Sequence, residues 1–236
     1  SKSKGNVVDP DALVSQYGAD SVRAYLMFNF DWQKGGPWNE NNIKGPIGWI
    51  NDVWSIVSAG APEGEGDVAV NQGVERKLHQ AIDAVERSLE SFSFNTAISA
   101  QMIFKNFLRD AIKSGKVGAE TWKTAVNAML RLMAPITPHV AEELWDQSGF
   151  GFSVHQQDWP VYDAEKAAED TVELVVMIGG KPREAIQVPA NVQQEEAIKL
   201  ALECDAAQRA LDGNEPKRVI FIPARKGQEP KVNIVV

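Results

Sequence analysis

The chain has 236 residues, a formal net charge of −8 and one cysteine, Cys204. This length allows one large domain or two smaller ones, each with its own core. A single cysteine excludes an internal disulfide and a cysteine-based zinc site, and no apolar run is long enough to cross a bilayer. The composition is that of an ordinary globular protein, for which we expect a cytoplasmic location and no membrane association.

Two short helices are predicted near the start of the chain. The pair Asp9-Pro10 has the pattern of an N-cap followed by proline in the first turn. Asp20 or Ser21 would cap the second helix, which we expect to end near Phe30. A loop rich in glycine and proline follows.

Five longer amphipathic helices come next, because apolar residues recur with a helical period and polar loops separate the runs. Their predicted ranges are 40–58, 74–89, 94–112, 120–133 and 137–149. Long amphipathic helices with short connections pack as an antiparallel bundle. The three histidines, His79, His139 and His155, lack neighbouring ligands, so no metal site is predicted.

The period of the apolar residues changes after a polar, acidic stretch at 151–170. Residues 171–178 and 183–188 predict two strands, and the pair Gly179-Gly180 between them is typical of a tight hairpin turn. The later predicted elements are helices at 193–202 and 205–211 and strands at 218–222 and 232–236. The predicted fold is therefore mainly α: an antiparallel helical bundle followed by a small α+β domain.

Charge is distributed unevenly along the chain. Residues 1–180 carry 15 basic and 24 acidic side chains, a net −9, whereas residues 181–236 carry 9 and 8, a net +1. The electrostatic repulsion of phosphate groups is therefore weakest in the second region. Five cations there lie in turns or at strand ends and are predicted to bind RNA phosphates: Lys181, Arg183, Lys217, Arg218 and Lys231. The alternative is that they are ordinary surface charges that keep a small sheet soluble.

The opening segment Ser1-Lys2-Ser3-Lys4-Gly5-Asn6 combines lysines, hydroxyl groups and a glycine. Lysine supplies a point charge, and serine and backbone N–H groups supply hydrogen-bond donors, so such a loop suits a polyphosphate. Taken alone, the hexapeptide is more typical of a solvated tail.

The opening segment, with Tyr17-Gly18-Ala19-Asp20 and Arg23 after it, resembles the signature loop of class I aminoacyl-tRNA synthetases. That family carries a Lys-Met-Ser-Lys-Ser motif, and Ser1-Lys2-Ser3 is similar to its last three residues. The resemblance implies that Ser1, Lys2 and Ser3 bind ATP and that Lys2 neutralises the phosphates as pyrophosphate leaves. The first two residues of the motif and an initiator Met are missing, so we expect a piece of a longer protein.

Two helical stretches, Phe94–Ile98 and Ala134–Trp145, resemble the anticodon-binding bundle of the leucyl, isoleucyl and valyl synthetases. The small α+β domain distinguishes among these three. Its stretches 176–183, 217–223 and 232–236 resemble the C-terminal domain of bacterial leucyl-tRNA synthetases.

The resemblance also implies an organisation into a signature loop with connecting helices (1–36), an anticodon-binding bundle (37–152), a linker (153–170) and a tRNA-binding domain (171–236). It implies that the full protein activates leucine with ATP and Mg²⁺ and transfers it to tRNA(Leu). The piece in hand would be inactive alone, because its catalytic core lies upstream, and we expect a monomer. Two alternatives stay open: a freestanding RNA-binding module without catalysis, and a helical scaffold that uses its seven tryptophans for partner contacts.

Overall fold

A computed structural model describes residues 8–30, 34–36, 39–169, 171–190, 192–224 and 229–235. The chain divides into two compact units, Ser1–Ala167 (unit 1) and Ala168–Val236 (unit 2). Unit 1 is helical and unit 2 combines a sheet with two helices, which confirms the predicted fold class. Within the described residues, no helix is both long and apolar enough to span a membrane. The finer division at residues 36, 152 and 170 stays a prediction.

The described part of unit 1 contains eight α-helices. They are α1 (Pro10–Tyr17), α2 (Ala19–Asn29), α3 (Lys44–Ser58), α4 (Val68–Glu90), α5 (Phe94–Lys113), α6 (Ala119–Met133), α7 (Pro138–Gln147) and α8 (Ala164–Ala167), with 3₁₀ turns at Glu40–Ile43 and Val154–Gln156. The predicted bundle helices are all present. Helix α4 begins before its predicted start at residue 74, because the Asp67 side chain caps it by accepting from the amides of Ala69 and Val70.

Helices α3 to α7 enclose one apolar core. Its largest buried side chains include Trp49, Phe104, Leu108, Leu130 and Trp145. A second, smaller core joins α1, α2 and the first 3₁₀ turn, and it consists of Leu13, Val22, Tyr25 and Ile43. Burying each such side chain stabilises the fold by about 1.5–3 kcal/mol, so the apolar stripes hold the helices together.

The loop before α4 is joined to the loop before α6 through backbone groups. The amide of Asp67 donates to the carbonyl of Lys116 at 2.7 Å. The Asn71 side chain accepts from the Gly118 amide at 2.9 Å and donates to the Glu65 carbonyl at 2.7 Å. A Cβ at Gly118 would overlap the Glu65 carbonyl group, so this close approach requires glycine. The two loops together hold the start of α4 beside the start of α6.

Unit 2 contains β1 (Thr171–Ile178), β2 (Lys181–Pro189), α9 (Gln194–Glu203), α10 (Asp205–Leu211), β3 (Arg218–Ile222) and β4 (Lys231–Val235). The sheet order is β2-β1-β4-β3. Strand β1 runs antiparallel to β2 and parallel to β4, and β3 runs antiparallel to β4. Both helices cover the same face, since Ala197, Ala201 and Ala207 share one buried cluster with Leu174 and Val176 of β1. The predicted hairpin turn is confirmed: Gly179 and Gly180 have φ of 56° and 81°, as a type I′ turn requires.

Candidate functional site

The residues predicted to bind ATP, Ser1, Lys2 and Ser3, lie outside the described part of the chain. Their role stays a prediction that rests on the sequence. Among the described residues, no group of three or more His, Cys, Asp or Glu side chains is arranged to hold a metal ion. Candidate binding residues among the described ranges lie in the elements that follow the opening segment.

Strand pairing brings four of the five predicted phosphate-binding cations to one end of the sheet. Ile178, the last residue of β1, pairs with Lys181 at the start of β2 and with Ile234 near the end of β4. At the same end, Arg218 at the start of β3 pairs with Val235. The strand-end cluster is defined here as Lys181, Arg183, Lys217 and Arg218. Sequence alone did not show this clustering, because it depends on the parallel register of β1 and β4.

The fifth predicted cation, Lys231, lies elsewhere in the sheet. It begins β4 and pairs with Val175 of β1 and with Ile222 of β3. Val175 precedes the end of β1 at Ile178 by three positions, so Lys231 is about 10 Å along the sheet from the strand-end cluster. The position of Lys231 at a strand end was visible in the sequence, but which end of the sheet it occupies was not.

A one-residue bulge in β2 changes the direction of Arg183. Val176 pairs with Glu184 and Met177 pairs with Pro182, so Arg183 has no opposite residue in β1. A bulge of this kind re-aims a side chain that would otherwise follow the strand alternation. Arg183 consequently lines a cavity that α10 also borders, on the side of the sheet that the helices cover.

This cavity has a volume of about 450 Å³. Arg183 and Ile178 line it from the sheet, and Arg209 lines it from α10 together with Ala206 and Ala210. The cavity therefore has two guanidinium groups and an apolar floor, and no carboxylate of the described residues contributes to its lining. Sequence reasoning missed Arg209, because one arginine on an exposed helix face is typical of a solvated surface charge.

The two arginines are not neutralised by the described residues around them. The Arg183 side chain has no hydrogen-bond or ion-pair partner within the described ranges. Arg209 donates from Nε to the Asp205 carbonyl oxygen at 3.1 Å, which leaves its two terminal nitrogens available. The Glu184 carboxylate lies beside the cavity without lining it, and its Oε2 accepts from the amide of Ala206, a lining residue, at 2.7 Å.

Cys204 lies at the junction of α9 and α10, and its thiol is free and buried. Burial raises the pKa of the Cys204 thiol, and the neighbouring Glu184 carboxylate adds to the increase. A thiol with a raised pKa is protonated at neutral pH and a poor nucleophile. Cys204 therefore contributes to the packing of unit 2, as the sequence predicted.

In unit 1, a buried carboxylate connects α2 to α7. Asp20 is 6% exposed, and its side chain accepts from the Val140 amide at 2.7 Å and contacts His139 Nδ1 at 2.8 Å. The prediction that Asp20 or Ser21 caps α2 is wrong, because Gly18 occupies the cap position and α2 begins at Ala19. Asp20 instead caps α7, which is distant in sequence.

Arg23, one turn further along α2, binds the segment just before α7. Its Nη2 donates to the Pro135 carbonyl at 2.9 Å, and its Nε donates to the Ile136 carbonyl at 3.1 Å. Asp20 and Arg23 thus bind an amide in the first turn of α7 and the carbonyls that precede it. Two of the sequence stretches that carry the family resemblance, around Asp20 and around Pro135, are therefore in direct contact.

The segment that ends unit 1 is fixed to α4. The Asp163 amide donates to His79 Nδ1 at 3.2 Å, and Lys166 Nζ pairs with the Glu75 carboxylate at 2.7 Å. Burial lowers the pKa of His79 below its ordinary value of 6.5, and the positive charge of Lys166 lowers it further. The neutral imidazole is the form that accepts the Asp163 hydrogen bond, so this contact depends on pH.

The amino-acid sequence matches a family model described as the anticodon-binding domain of tRNA ligase over residues 71–199. This match begins within α4 and ends within α9, so it includes most of the bundle and the first part of unit 2.

Curated relatives align along the whole chain. The leucine–tRNA ligase of Dehalococcoides mccartyi is 37% identical over 236 residues and that of Herpetosiphon aurantiacus is 40% identical over 236 residues. The leucine–tRNA ligase of Deinococcus radiodurans is 39% identical over 225 residues. The alignments cover 100%, 100% and 95% of this chain, respectively, but only 28%, 28% and 27% of those relatives.

Two solved structures are similar in fold. A crystal structure of the ternary complex of Agrobacterium radiobacter LeuRS, tRNA and LeuAMS aligns with 100% of this chain and 30% of its own, with a TM-score of 0.81 and 26% identity. The apo methionyl-tRNA synthetase of Mycobacterium tuberculosis aligns with 60% of this chain and 34% of its own, with a TM-score of 0.50 and 15% identity. The second likeness concerns the fold alone.

Proposed function

The chain belongs to the family of anticodon-binding domains of tRNA ligases, and on that premise we propose that it is the C-terminal part of a leucine–tRNA ligase. The observation that carries the proposal is the alignment of the complete chain with leucine–tRNA ligases at 37–40% identity. The whole protein would be a cytoplasmic monomer that uses ATP and Mg²⁺ to activate leucine and then transfers it to tRNA(Leu). The chain by itself would bind tRNA without forming leucyl-adenylate, since it spans about 28% of such ligases.

The strand-end cluster supports a role for unit 2 in tRNA binding. The strand register brings Lys181, Arg183, Lys217 and Arg218 to the same end of the sheet, where β2 and β3 begin. A local concentration of cations attracts the phosphate backbone of RNA, and binding releases condensed counterions. The preceding part of the chain is acidic, with a net charge of −9 over residues 1–180, so this end of the sheet is a distinct basic surface. We propose that it supplies tRNA affinity and takes no part in the chemistry.

The test compares the full-length ligase with a variant that ends at Asp170. We expect the truncated enzyme to bind tRNA more weakly, with a shallower dependence of affinity on salt, and to aminoacylate more slowly. Leucine-dependent ATP–pyrophosphate exchange should stay nearly unchanged, because activation does not need unit 2. Equal tRNA affinities and equal salt slopes for the two enzymes would overturn the proposed role.

For the opening segment, we propose that Lys2 stabilises the negative charge that develops on the leaving pyrophosphate. Such an interaction is stronger in the transition state than in the ground state. In the full-length ligase, Lys2→Ala should therefore lower the activation rate by about 100-fold, with little change in the affinity for leucine or tRNA. Single-turnover activation kinetics separate these effects, and an unchanged activation rate would contradict the role of Lys2.

A further inference from the structure

We propose that the cavity between the β2 bulge and α10 binds a single phosphate group, which Arg183 and Arg209 hold together. The source of that phosphate rests on the proposed function: a phosphodiester of the tRNA backbone. A free phosphate, or the phosphate of a small nucleotide, has the same recognition chemistry, and the experiment below distinguishes the two sources.

The two arginines converge because of the local fold. The bulge opposite Val176 turns Arg183 toward α10, and Arg209 occupies the second turn of α10. The hydrogen bond between Glu184 Oε2 and the Ala206 amide, at 2.7 Å, fixes the start of α10 against β2. Ala207 belongs to the buried core that α10 shares with the sheet. The elements that carry the two guanidinium groups are therefore held in place before any ligand binds.

The electrostatics of the cavity favour an anion. Two positive groups on exposed side chains line it, and no carboxylate within the described ranges contributes to its lining. Like charges placed together repel each other, and an anion between them removes that cost. Small alanines on the α10 side leave space for a ligand, so the cavity is open as well as positive.

Phosphate fits this arrangement better than a single-point anion does. Each guanidinium group presents a planar fork of N–H donors that matches two oxygens of a phosphate. The Nε–H of Arg209 already donates to the Asp205 carbonyl, which orients the guanidinium group and leaves its terminal N–H groups for the ligand. Arg183 contributes its complete fork, since it has no partner among the described residues.

The pair Arg183 and Arg209 differs from the other members of the strand-end cluster in a measurable way. Independent surface cations each neutralise their own phosphates, so the effects of removing them multiply. Two arginines that hold the same phosphate act as one unit, so the loss of either removes most of the contribution of both. A double-mutant cycle separates these two situations.

The experiment measures tRNA affinity for the complete 236-residue chain and for Arg183→Gln, Arg209→Gln and the double variant. We expect each single substitution to weaken binding by about tenfold, and the double variant to be only slightly weaker than either single variant. The control cycle combines Arg183→Gln with Arg218→Gln, whose effects should multiply. Urea midpoints equal to that of the parent chain show that the variants remain folded. If the effects of Arg183→Gln and Arg209→Gln multiply as in the control, the shared site is refuted.

A second measurement identifies the source of the phosphate. The chain is labelled at arginine with ¹⁵N, and the Nε–H signals of Arg183 and Arg209 are followed with inorganic phosphate and, separately, with tRNA. Shifts with both ligands would support the site and show that a free phosphate is enough to occupy it. Shifts with tRNA alone would support the site and show that its ligand is a phosphodiester of the tRNA. Absence of shifts with both ligands overturns the proposal. If the chain bound no tRNA at all, the proposed function would be refuted. If it bound tRNA but the effects of Arg183→Gln and Arg209→Gln multiplied, only this site would be refuted.

Discussion

The carboxylate of Asp20 accepts a hydrogen bond from the backbone amide of Val140 at 2.7 Å, although 120 positions separate the two residues. Thr137, the residue that precedes α7, makes no side-chain hydrogen bond as a cap. Asp20 therefore satisfies an N–H group in the first turn of α7 that the local sequence leaves without a partner. Asp20 of α2 thus connects α2 to the bundle by capping α7, a helix that is distant in sequence.

Removal of this cap should destabilise unit 1. We expect Asp20→Ala to lower the free energy of unfolding by about 1–2 kcal/mol, the usual cost of removing a capping side chain. Asp20→Asn should cost less, because an amide oxygen can still accept from the Val140 amide. Urea denaturation of the three proteins measures the differences. His139→Ala is the control: its side chain is 76% exposed, so an equal destabilisation there would argue against the cap as the important interaction.

Close backbone approach at Gly118 should make this position intolerant of any side chain. A Cβ there would overlap the Glu65 carbonyl group, so Gly118→Ala should destabilise the protein by about 3 kcal/mol through forced separation of the two loops. Gly48→Ala in α3 is the matched control, because a Cβ at Gly48 meets no described atom within 4 Å and alanine favours a helix. Thermal unfolding compares the two, and similar melting temperatures would contradict the close approach.

The ion pair between Lys105 and Asp52 should make part of the stability dependent on pH. Lys105 is 5% exposed, and its Nζ lies 2.5 Å from Asp52 Oδ2. The Lys105 hydrogen bond lowers the pKa of Asp52 below its ordinary value of 3.8. A carboxyl group with a lowered pKa stabilises the fold above the unfolded pKa, and this contribution disappears as pH falls through the folded pKa.

We therefore expect Asp52→Asn to cost about 1 kcal/mol at pH 7, where the carboxylate is charged but solvent screens a side chain that is 40% exposed. The cost should decrease as pH falls below 3.8 and disappear below the lower pKa of the folded protein. Urea denaturation at several pH values measures both limits. Asp110→Asn is the control: the Asp110 side chain is 66% exposed and pairs only with Arg109 among the described residues. A difference between Asp52→Asn and the parent protein that stays constant with pH would contradict this assignment.

The hydrogen bond between His79 and the Asp163 amide should weaken in acid. The pKa of His79 in the folded protein lies below the ordinary 6.5, so the folded state binds the proton less readily than the unfolded state. The stabilising contribution is therefore complete above pH 6.5 and disappears as pH falls through the folded pKa. Lys166, Asp163 and Glu75 are the charged groups that face the imidazole.

Hydrogen exchange of the Asp163 amide, corrected for the intrinsic effect of pH, measures that hydrogen bond directly. Protection should decrease on acidification in the parent protein. It should vary much less in His79→Gln, because the glutamine side-chain oxygen accepts a hydrogen bond without titrating. Equal pH dependence in the two proteins would exclude His79 as the titrating group.

The strand-end cluster should control the salt dependence of tRNA binding by the chain. Removing one phosphate-binding cation lowers the slope of log affinity against log salt by about 1, so Lys181→Gln and Arg218→Gln should each reduce it by about this amount. Lys199→Gln, on an exposed position of α9, is the control and should leave the slope unchanged. Lys231→Gln adds a geometric comparison: if it matches the cluster variants, the RNA-binding surface extends along the sheet toward the start of β4.

The order and type of the elements could be predicted from the sequence, because apolar period and helix caps are local signals. The Asp9 cap, the Gly179-Gly180 turn and the stripes of α4 to α7 are examples. Contacts between distant segments could not be predicted in this way. Asp20 has the sequence signature of a cap for its own helix, and only the folded chain shows that it caps α7. Arg209 became a candidate only when the β2 bulge placed Arg183 opposite it.

The parallel pairing of β1 and β4 means that unit 2 cannot complete its sheet until β4 has been synthesised. Val175 and Lys231 pair although they are 56 positions apart, and β4, the last described strand in sequence, lies between β1 and β3. Unit 1 precedes unit 2 in the chain, so its contacts, including the one between Asp20 and Val140, are available before β4 is synthesised. During synthesis, the hairpin of β1 and β2 therefore emerges from the ribosome before β4, the strand that pairs with β1 in the finished sheet. The exposed edge of β1 must stay free of other partners until β4 emerges.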